Sequence, residues 1–544
     1  MSATQTLTDE HELVGLPVGP VRTMPGPSVP NRVFTASTPA LMTKSNRLLV
    51  TVMIILANFV QFTSNFVTIA AGFTLSRALG MGEGLTEGPG KANWMPASYS
   101  LTQGTFVLIS GRLGAIYGHQ RVLLVGGAIL TVFSLVNAFC TSFNSFVAVR
   151  ALSGVGGGLI MPNAVAMITI MLPPGRSRNV TMGFFAAGAP IGGWLGGLLA
   201  GLFTQFTEWK YLFIFIAGMA ALVFGTLFFL MPKERPVDPG GRIDYVGAFL
   251  GLSSLLIFNF VWNQAPSVGW TTPYEIGLLV TSVVLFVLFL VYEHSFATDP
   301  IMPLSIFRAP TFTALVFVVL LSYMSFGISL WYMIAWQELL RGWSVLHLTV
   351  GWVPFAVAAT ASVGLAAWLV PRLDAQWILA IGVAAVAASN LLLATMPREG
   401  QTYWAQTFPA IALGGVCPDL VYVAAQIIAS NSVRRREQGV AGSLIGTLNL
   451  YGNSLGLGFA GTIETSLIRR GGKSGGDVDP VPGYRAALYF GFALAVASLV
   501  LDFVFVRMPK DDREGWASAD DSDDAETFGV ATGVTIRPDA ENAA

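Results

Sequence analysis

The sequence predicts an all-α, polytopic membrane protein with fourteen transmembrane helices, and three observations support this fold class. The chain of 544 residues is 53% hydrophobic and only 11% charged, whereas an average soluble domain is about 25% charged. Apolar runs recur that are long enough for a bilayer, since a helix needs about 20 residues to cross the hydrocarbon. Part of the chain also repeats at a fixed interval.

The apolar runs define fourteen predicted spans, numbered in chain order, each bounded by charged or turn-rich segments. They cover residues 48–70, 94–110, 122–140, 146–171, 180–203, 211–231, 245–263, 276–292, 312–333, 346–370, 376–396, 404–430, 439–463 and 486–506.

Composition excludes several other classes of protein. Lys and Arg number 30 against 31 for Asp and Glu, so no basic excess indicates a nucleic-acid partner. Cys140 and Cys417 lie inside apolar runs, which excludes a disulfide framework, and the four histidines are scattered without metal-ligand spacing. The sequence has no phosphate-cradling G-x-x-x-x-G-K-[ST] loop. We therefore expect no enzyme, no cofactor and no metal site.

Lys and Arg are distributed unequally between the two sides of the membrane. With the amino terminus in the cytosol, the inner segments hold 20 of the 30, the outer loops hold 9, and Arg150 lies within a span. Cytosolic enrichment of these residues favours both termini inside, although the outer loop with Arg469, Arg470, Lys473 and Arg485 runs against the rule. The first 43 residues lack the apolar core of a secretory signal, so insertion is expected to begin with span 1.

An ungapped shift of 260 residues superposes spans 1–6 on spans 9–14. The matches include Arg112 on Arg372, Gly192 on Gly452, Gly196 on Gly456 and Gly201 on Gly461. They predict a 6+2+6 order, with spans 7 and 8 inserted between two halves that are related by a pseudo-two-fold axis along the membrane normal. Chance similarity of glycine-rich helices is the alternative. The predicted domains are a disordered cytosolic tail (1–44), a six-helix bundle (45–231), the inserted pair with its loops (232–311), a second bundle (312–507) and an acidic disordered tail (508–544).

Several motifs resemble a known family. The run WMPASYSLT from Trp94, followed by GRLGAIYG from Gly111, looks like the second helix and following loop of the major facilitator superfamily. The stretches VRALSGVGGG, GAPIGG and PIMPLSIFR agree, and residues 45–508 resemble its fourteen-helix drug:proton antiporters. DLVYVAAQIIAS from Asp419 is most similar to fungal aminotriazole and boron resistance exporters and related ammonium transporters. The loop motif comprises Gly111, Arg112, Gly114, Gly118 and Arg121.

The chain departs from this family at two places. In the loop after span 2, the family carries an Asp and a basic residue where this sequence has Ala115 and Ile116. The carboxylate that normally locks the cytosolic gate is therefore missing, and other contacts must close the gate. Span 1 has Asn65 near the place of a common acidic residue.

Asp419, in the middle of span 12, is a candidate for proton coupling. A carboxylate deep in the membrane costs about 2.5–3.5 kcal/mol on insertion scales and so requires a reason. Burial favours the neutral acid, which lets the group bind and release a proton as access alternates. A structural hydrogen bond or ion pair is the alternative. Arg150 corresponds in the repeat to position 410, which is nine residues before Asp419. Arg150 and Asp419 should therefore differ by about 13 Å in depth, which argues against a direct ion pair between them.

Arg150 in span 4 is the second proton-coupling candidate, because the resemblance implies a role in proton transfer for an arginine at this place. The alternative is that its long side chain snorkels to the interface near the outer end of the helix. For Asp502, near the inner end of span 14, we expect interfacial solvation.

Span 5 carries a face of small residues at intervals of four. Such a face permits close packing of two helices. The resemblance implies an antiporter motif that lets this helix bend and seal one side of the cavity, and the two interpretations are compatible. The motif residues are Gly188, Pro190, Gly192, Gly193 and Gly196.

Polar residues at spacings of three and four predict which helix faces line a central cavity, since only one face of a helix meets water. An interhelical hydrogen bond, worth about 0.6 kcal/mol, is the alternative for each. These residues are Asn58, Gln61 and Asn65 in span 1, Tyr99 and Gln103 in span 2, Tyr422 and Gln426 in span 12, and Asn449 and Asn453 in span 13. The aromatic residues of span 9, Tyr323, Phe326, Trp331, Tyr332 and Trp336, fit either a stacked solute or interfacial anchors.

These patterns predict a proton-coupled secondary transporter that exports a small solute, drug or metabolite by alternating access. We expect a monomer in the plasma membrane, whose partners are the substrate, protons and the lipid bilayer. Uptake or facilitated transport of a small polar solute such as ammonium is the alternative, suggested by the missing acidic residues. A non-transporting membrane receptor or scaffold is a further alternative, against which the repeat argues.

Overall fold

The computed structural model describes residues 43–81, 92–172, 175–231, 236–398, 400–433, 437–472 and 479–507. The predicted carboxy-terminal tail, and all but two residues of the predicted amino-terminal tail, lie outside this part. Helices make up most of the described part, which contains no strand.

The long helices are labelled in chain order. The N half consists of α1 (Lys44–Ala70), α2 (Trp94–Tyr117), α3 (His119–Asn137), α4 (Phe143–Met171), α5 (Arg176–Phe206) and α6 (Trp209–Leu230). Two helices follow, α7 (Tyr245–Val268) and α8 (Pro273–Ser295). The C half consists of α9 (Pro310–Ala335), α10 (Val353–Leu369), α11 (Ala375–Ala394), α12 (Thr407–Ser432), α13 (Gln438–Gly472) and α14 (Val481–Phe505).

Short helical elements extend or precede some of these helices. They are a helix after α1 (Gly72–Ala78), a 3₁₀ turn before α9 (Leu304–Arg308), a π-helical turn after α9 (Trp336–Leu340) and a helix before α10 (Val345–Val350). Predicted span 10 therefore consists of two helices, the short one at Val345–Val350 and α10. The break falls just before Pro354, because a proline is accommodated in the first turn of a helix but not in its interior. Predicted span 13 ends nine residues too early.

Local sequence explains several helix starts. Pro273 and Pro310 occupy the first turns of α8 and α9. A proline costs no helical hydrogen bond there, because amides of the first turn have no carbonyl partner within the helix. The Ser142 hydroxyl accepts a hydrogen bond from the Ser145 amide at 3.3 Å, and the Asp244 carboxylate accepts one from the Gly247 amide at 2.8 Å. These bonds satisfy amides that the helix itself leaves unpaired.

Twelve helical stretches of the described part are long and apolar enough to cross a membrane. Large apolar side chains face outward from them, for example Leu222 at 71% and Phe229 at 82% exposure. The two long helices α2 and α13 are not among the twelve. They pack against each other along their length, and a Cβ added to Gly104 would lie 2.9 Å from the Tyr451 amide. Their polar residues therefore face protein rather than lipid.

The two halves repeat one packing pattern. In the N half α1 packs on α5 and α6, α2 on α4, and α3 on α4 and α6, and the same pairs recur with each helix number raised by eight. The repeated glycines take equivalent places in this pattern, since Gly192 and Gly196 meet the backbone of α1 while Gly452 and Gly456 meet the backbone of α9.

The pair α7 and α8 lies beside the seam between α2 and α13. Helix α7 packs on both, and the Asn263 amide donates to the Ser454 carbonyl at 3.1 Å. The Trp262 and Phe459 rings stack at 3.7 Å. Helix α8 packs on α7 and exposes most of its apolar side chains, as expected at a lipid surface.

Candidate functional site

A cavity of about 1270 Å³ lies between the two halves. We call the side at which α1 begins the N side and the opposite side the far side. The lining reaches the N-side helix ends, including Arg112, His119, Met182 and Gln438. No described residue of the far-side connections contributes to it. The cavity is therefore open on the N side and closed on the far side.

Asp419 lies in the wall of this cavity, half-buried, within α12. The proline before it interrupts the hydrogen-bond ladder of the helix, and the Tyr323 hydroxyl of α9 donates to the Pro418 carbonyl at 2.8 Å. None of the ion pairs among the described residues includes Asp419. This carboxylate faces the cavity rather than lipid and is free to meet a proton or a solute.

Six of the nine residues predicted to line the cavity do so. Asn58 and Gln426 each donate one hydrogen bond to backbone, to the Phe185 carbonyl at 2.9 Å and the Gly442 carbonyl at 3.1 Å. The buried amide oxygens of Asn58, Asn65 and Asn453 have no hydrogen-bond partner among the described residues. The six residues are Asn58, Asn65, Tyr422, Gln426, Asn449 and Asn453.

Gln61, Tyr99 and Gln103 lie elsewhere, and their prediction as cavity residues is corrected. All three are fully buried inside the N half and absent from the cavity wall. Tyr99 and Gln103 face Gly157 of α4, and the Tyr99 ring lies 4.5 Å from the Arg150 guanidinium carbon. Helical periodicity identified a polar face but could not say which neighbour it meets.

Arg150 is fully buried, so snorkelling is wrong for this side chain. Its guanidinium donates to the Ser64 hydroxyl at 3.0 Å, to the Ser64 carbonyl and to the Thr68 hydroxyl at 3.4 Å. No described carboxylate forms an ion pair with it. The polar groups of α1 and the face of the Tyr99 ring surround the guanidinium charge instead. This charge lies within the N half and is separate from Asp419 in the C half.

The loop motif forms part of the N-side mouth of the cavity. Gly111 and Arg112 line the mouth, whereas Arg121 is exposed. Gly118 has a φ of +98°, a conformation that favours glycine, and it connects α2 to α3 directly.

His119 lies at this mouth and contacts Asn163, and no sequence pattern selects either residue. The His119 Nδ1 and the Asn163 amide oxygen are 2.8 Å apart, and His119 lines the cavity. Any side chain at Gly114 would overlap both groups. This glycine of the motif therefore makes room for a hydrogen bond between α3 and α4.

A carboxylate from a distant segment lies beside Ala115. The Asp238 amide donates to the Ala115 carbonyl at 2.9 Å, and its carboxylate pairs with Arg112 at 3.0 Å. Arg112 also donates to the Arg242 carbonyl at 3.3 Å. The segment between α6 and α7 thus brings a carboxylate to the loop that lacks one of its own. The sequence alone did not predict this contact, because Asp238 lies far from Arg112 and Ala115 along the chain.

The antiporter motif packs α5 against α1. A Cβ on Gly192 would lie 2.6 Å from the Phe59 carbonyl oxygen, a Cβ on Gly196 would overlap the Thr63 carbonyl, and a Cβ on Gly193 would lie 3.0 Å from the Phe66 ring. Gly188 is less crowded, and Pro190 lies in the cavity wall within a continuous helix.

Contacts between the halves close the far side. Glu338, on the π-helical turn, accepts hydrogen bonds from the Thr74 hydroxyl at 2.8 Å and from Arg77 at 3.3 Å. We call these three residues the far-side latch. Next to the latch, the Phe73 and Trp331 rings are 4.4 Å apart.

Two further predictions need correction. Asp502 is only 1% exposed and both of its carboxylate oxygens lack partners among the described residues, so it is not solvated at an interface. Tyr332 and Trp336 are fully buried and are not interfacial anchors, whereas Phe326 and Trp331 line the cavity. In each case a neighbouring helix covers a side chain that sequence position alone placed near the bilayer surface.

Acidic groups dominate the charge of the cavity wall. Asp244, Asp299 and Glu437 lie near the mouth and Asp419 lies deeper, whereas Arg112 is the only Lys or Arg among the described wall residues. A concave wall of one sign attracts ions of the other sign.

Comparison with known proteins relates this architecture to characterised ones. Residues 54–457 match the model of the Major Facilitator Superfamily. The chain is 32% identical to the low affinity ammonium transporter of Saccharomyces cerevisiae, over 79% of this chain and 86% of that protein. It is 32% identical to the efflux pump terJ of Aspergillus terreus (78% and 82% covered) and 30% identical to the aminotriazole resistance protein of Saccharomyces cerevisiae (77% and 78% covered).

Solved structures share the fold at low sequence identity. A bacterial homologue of the human lysosomal transporter Spinster, in an inward-facing and unoccupied conformation, superposes with a TM-score of 0.57 at 16% identity, covering 86% of this chain and 98% of that one. An auto-inhibited peptide transporter of the POT family gives a TM-score of 0.63 at 14% identity, with 86% and 99% covered.

Proposed function

Because the chain belongs to the major facilitator superfamily, we propose that it is a proton-coupled exporter of small cationic solutes, drugs or metabolites. The family and its relatives make the chain a secondary membrane transporter with a small-molecule substrate, not an enzyme. Proton coupling, direction and solute charge are the proposed part.

The observation that carries the proposal is Asp419, a carboxylate with no ion-pair partner among the described residues, in the wall of a cavity open to one side. A cationic solute and a proton compete for such a group, because either one neutralises it. When access alternates, solute leaves Asp419 on one side and a proton takes its place, so the proton gradient drives the solute in the opposite direction. The nearby aromatic residues Phe326, Trp331 and Tyr422 offer ring faces to a cation.

We further infer a 6+2+6 bundle of fourteen spans, with the two six-helix bundles at 45–231 and 312–507. The repeated packing pattern supports two equivalent halves. Helices α2 and α13 cross the membrane in this account, and their polarity follows from their contact with each other and with the cavity. The excess of Lys and Arg supports the cytosol as the N side and both termini inside. We propose the plasma membrane as the location and a monomer as the functional unit.

Transport of ammonium is a second candidate. The observation that favours it is the 32% identity to a low affinity ammonium transporter, together with Ala115 and Asn65 at places where the family carries acidic residues. A facilitator of this kind would carry methylammonium without a proton gradient.

Flux through purified protein in liposomes tests the proposal. Under a pH gradient, we expect ethidium to move against its own gradient and toward the acidic side, with methylammonium flux no greater than in liposomes without protein. Liposomes without protein, and liposomes whose gradient has been collapsed by an uncoupler, serve as controls. Methylammonium flux that is indifferent to the uncoupler, with no ethidium flux, would replace the proposal by the ammonium facilitator.

A further inference from the structure

A second buried carboxylate lies outside the solute cavity. Glu464 of α13 is fully buried and is absent from the cavity wall. The Tyr332 hydroxyl donates to its Oε2 at 2.7 Å, while its Oε1 has no hydrogen-bond partner in the described part of the chain. None of the ion pairs among the described side chains includes Glu464.

Aromatic rings cover this carboxylate. The Tyr484 ring of α14 lies 5.7 Å from the Tyr332 ring and 6.5 Å from the Trp336 ring. Gly483 packs directly on Glu464, since a Cβ there would lie 3.1 Å from the Glu464 Cγ. The only described titratable groups that face Glu464 are therefore Tyr332 from α9 and Tyr484 from α14.

Such an enclosure holds the carboxyl group in its neutral form. An ionised carboxylate that is buried without a counter-charge costs several kcal/mol, and one neutral hydroxyl donor offsets only part of this. The nearest base on α14, Arg485, donates instead to the Met396 carbonyl at 3.2 Å. In this conformation, the protonated carboxyl group is therefore the state of Glu464 with the lower free energy.

The cover of Glu464 belongs to the segment that closes the far side. Within residues 331–338, Trp331 and Glu338 contact the N half, at Phe73 and at the rest of the far-side latch. Tyr332 of the same segment bonds to Glu464, and Trp336 packs near the Tyr484 ring beside it. The segment ends in a π-helical turn, an irregularity that is common at functional sites. When the halves separate on the far side, this segment loses its N-half partners.

We propose that Glu464 is a proton-binding site that is sealed while the far side is closed and reached by water of the far side when that side opens. The proposal rests on the proposed alternating access. By linkage, the closed state binds the proton more tightly, so acidification of the far side favours closure and alkalinity favours opening. The change is at most about tenfold in the open-to-closed ratio per pH unit, because one proton is involved.

Labelling of a cavity cysteine from the far side measures the open fraction. Val423 lines the cavity and becomes the target as Val423→Cys, in a chain with Cys140→Ala and Cys417→Ala. Asp419→Asn and Glu338→Gln are included in this parent, so that neither the cavity carboxylate nor the latch carboxylate adds pH dependence. A membrane-impermeant maleimide is applied at the far side of sealed vesicles over a series of far-side pH values, with the N side held constant. Rates are divided by those of a freely exposed cysteine, which removes the intrinsic pH dependence of thiol reaction.

We expect the corrected rate to rise with far-side pH in the parent by up to about tenfold per unit. Glu464→Gln should remove this dependence, since the amide mimics the neutral acid. Asp502→Asn is the matched control, a buried carboxyl of the same half at the N side, and should leave the dependence intact. An unchanged pH profile in Glu464→Gln would overturn the proposal.

Tyr332→Phe gives an independent test that keeps the carboxyl group. Without the Tyr332 donor, the closed state disfavours ionised Glu464 more strongly, so the pH-dependent range should extend to higher pH. No extension, in a variant that still labels, would argue against the site. Neither test requires solute or its transport, so failure of proton-coupled export in the flux assay would be recognised separately.

Discussion

The far-side latch makes the strongest quantitative prediction, which is that Glu338→Ala opens the far side. Glu338 is 4% exposed at its side chain, and it accepts hydrogen bonds from Thr74 and from Arg77 across the two halves. These bonds exist only while the far side is closed, so their loss shifts the equilibrium between the two states.

The magnitude follows from the two bonds. A hydrogen bond to a buried charged group contributes about 1.5–3 kcal/mol, and the bond from Thr74 is in this class at 2.8 Å. The bond from Arg77, whose side chain is 43% exposed, is screened by solvent and adds at most about 1 kcal/mol. Desolvation of Glu338 in the closed state offsets part of this sum. A net change of about 2 kcal/mol corresponds to a roughly 30-fold rise in the open-to-closed ratio.

The assay is far-side labelling of Val423→Cys, in a chain that retains Asp419 and lacks the two native cysteines. Labelling should accelerate about 30-fold in Glu338→Ala, provided the open state is rare in the parent. Glu208→Ala is the control, because its pairing with Lys210 at 4.0 Å lies within the N half. If Glu338→Ala labels no faster than the parent, the latch does not hold the far side closed.

The other two structural predictions concern helix packing and the N-side loop. Gly196→Ala should destabilise the protein by about 1–3 kcal/mol, because the added methyl group overpacks against α1, and should therefore lower the folded yield and the thermal midpoint. Gly183→Ala is the control, because open space surrounds Gly183. Equal midpoints for the two variants would refute the packing role. Arg112→Asp and Asp238→Arg should each slow transport, and the double exchange should restore it. The coupling energy between the two side chains should be about 1 kcal/mol or less, because the pair is half-exposed. Absence of rescue would show that the pair has no part in gating.

The sequence could predict the all-helical class, the order of the helices and the relatives of the chain, because long apolar runs and glycine repeats are local signals. The interruption of predicted span 10 was missed, since the apolar run continues across a proline that restarts the helix. Helices α2 and α13 show the limit of hydropathy, because each has a face that meets protein instead of lipid.

The candidate site was predictable in part. Asp419 and six polar neighbours lie in the cavity wall because their chemistry is costly anywhere else. Gln61, Tyr99 and Gln103 are buried inside the N half instead, with Tyr99 beside Arg150, and periodicity does not identify which neighbour a face will meet. The contact between Asp238 and Arg112 spans 126 residues, and only tertiary structure brings the two together.

Proton release on solute binding tests the central claim most directly. Purified protein in a weakly buffered solution near neutral pH is mixed with ethidium, and the pH change and the bound ethidium are recorded together. If solute and proton compete for Asp419, binding should release up to one proton per ethidium in the native chain and in Asp502→Asn, and none in Asp419→Asn. Saturable ethidium binding to the native chain without proton release at any pH would contradict exchange at this carboxylate.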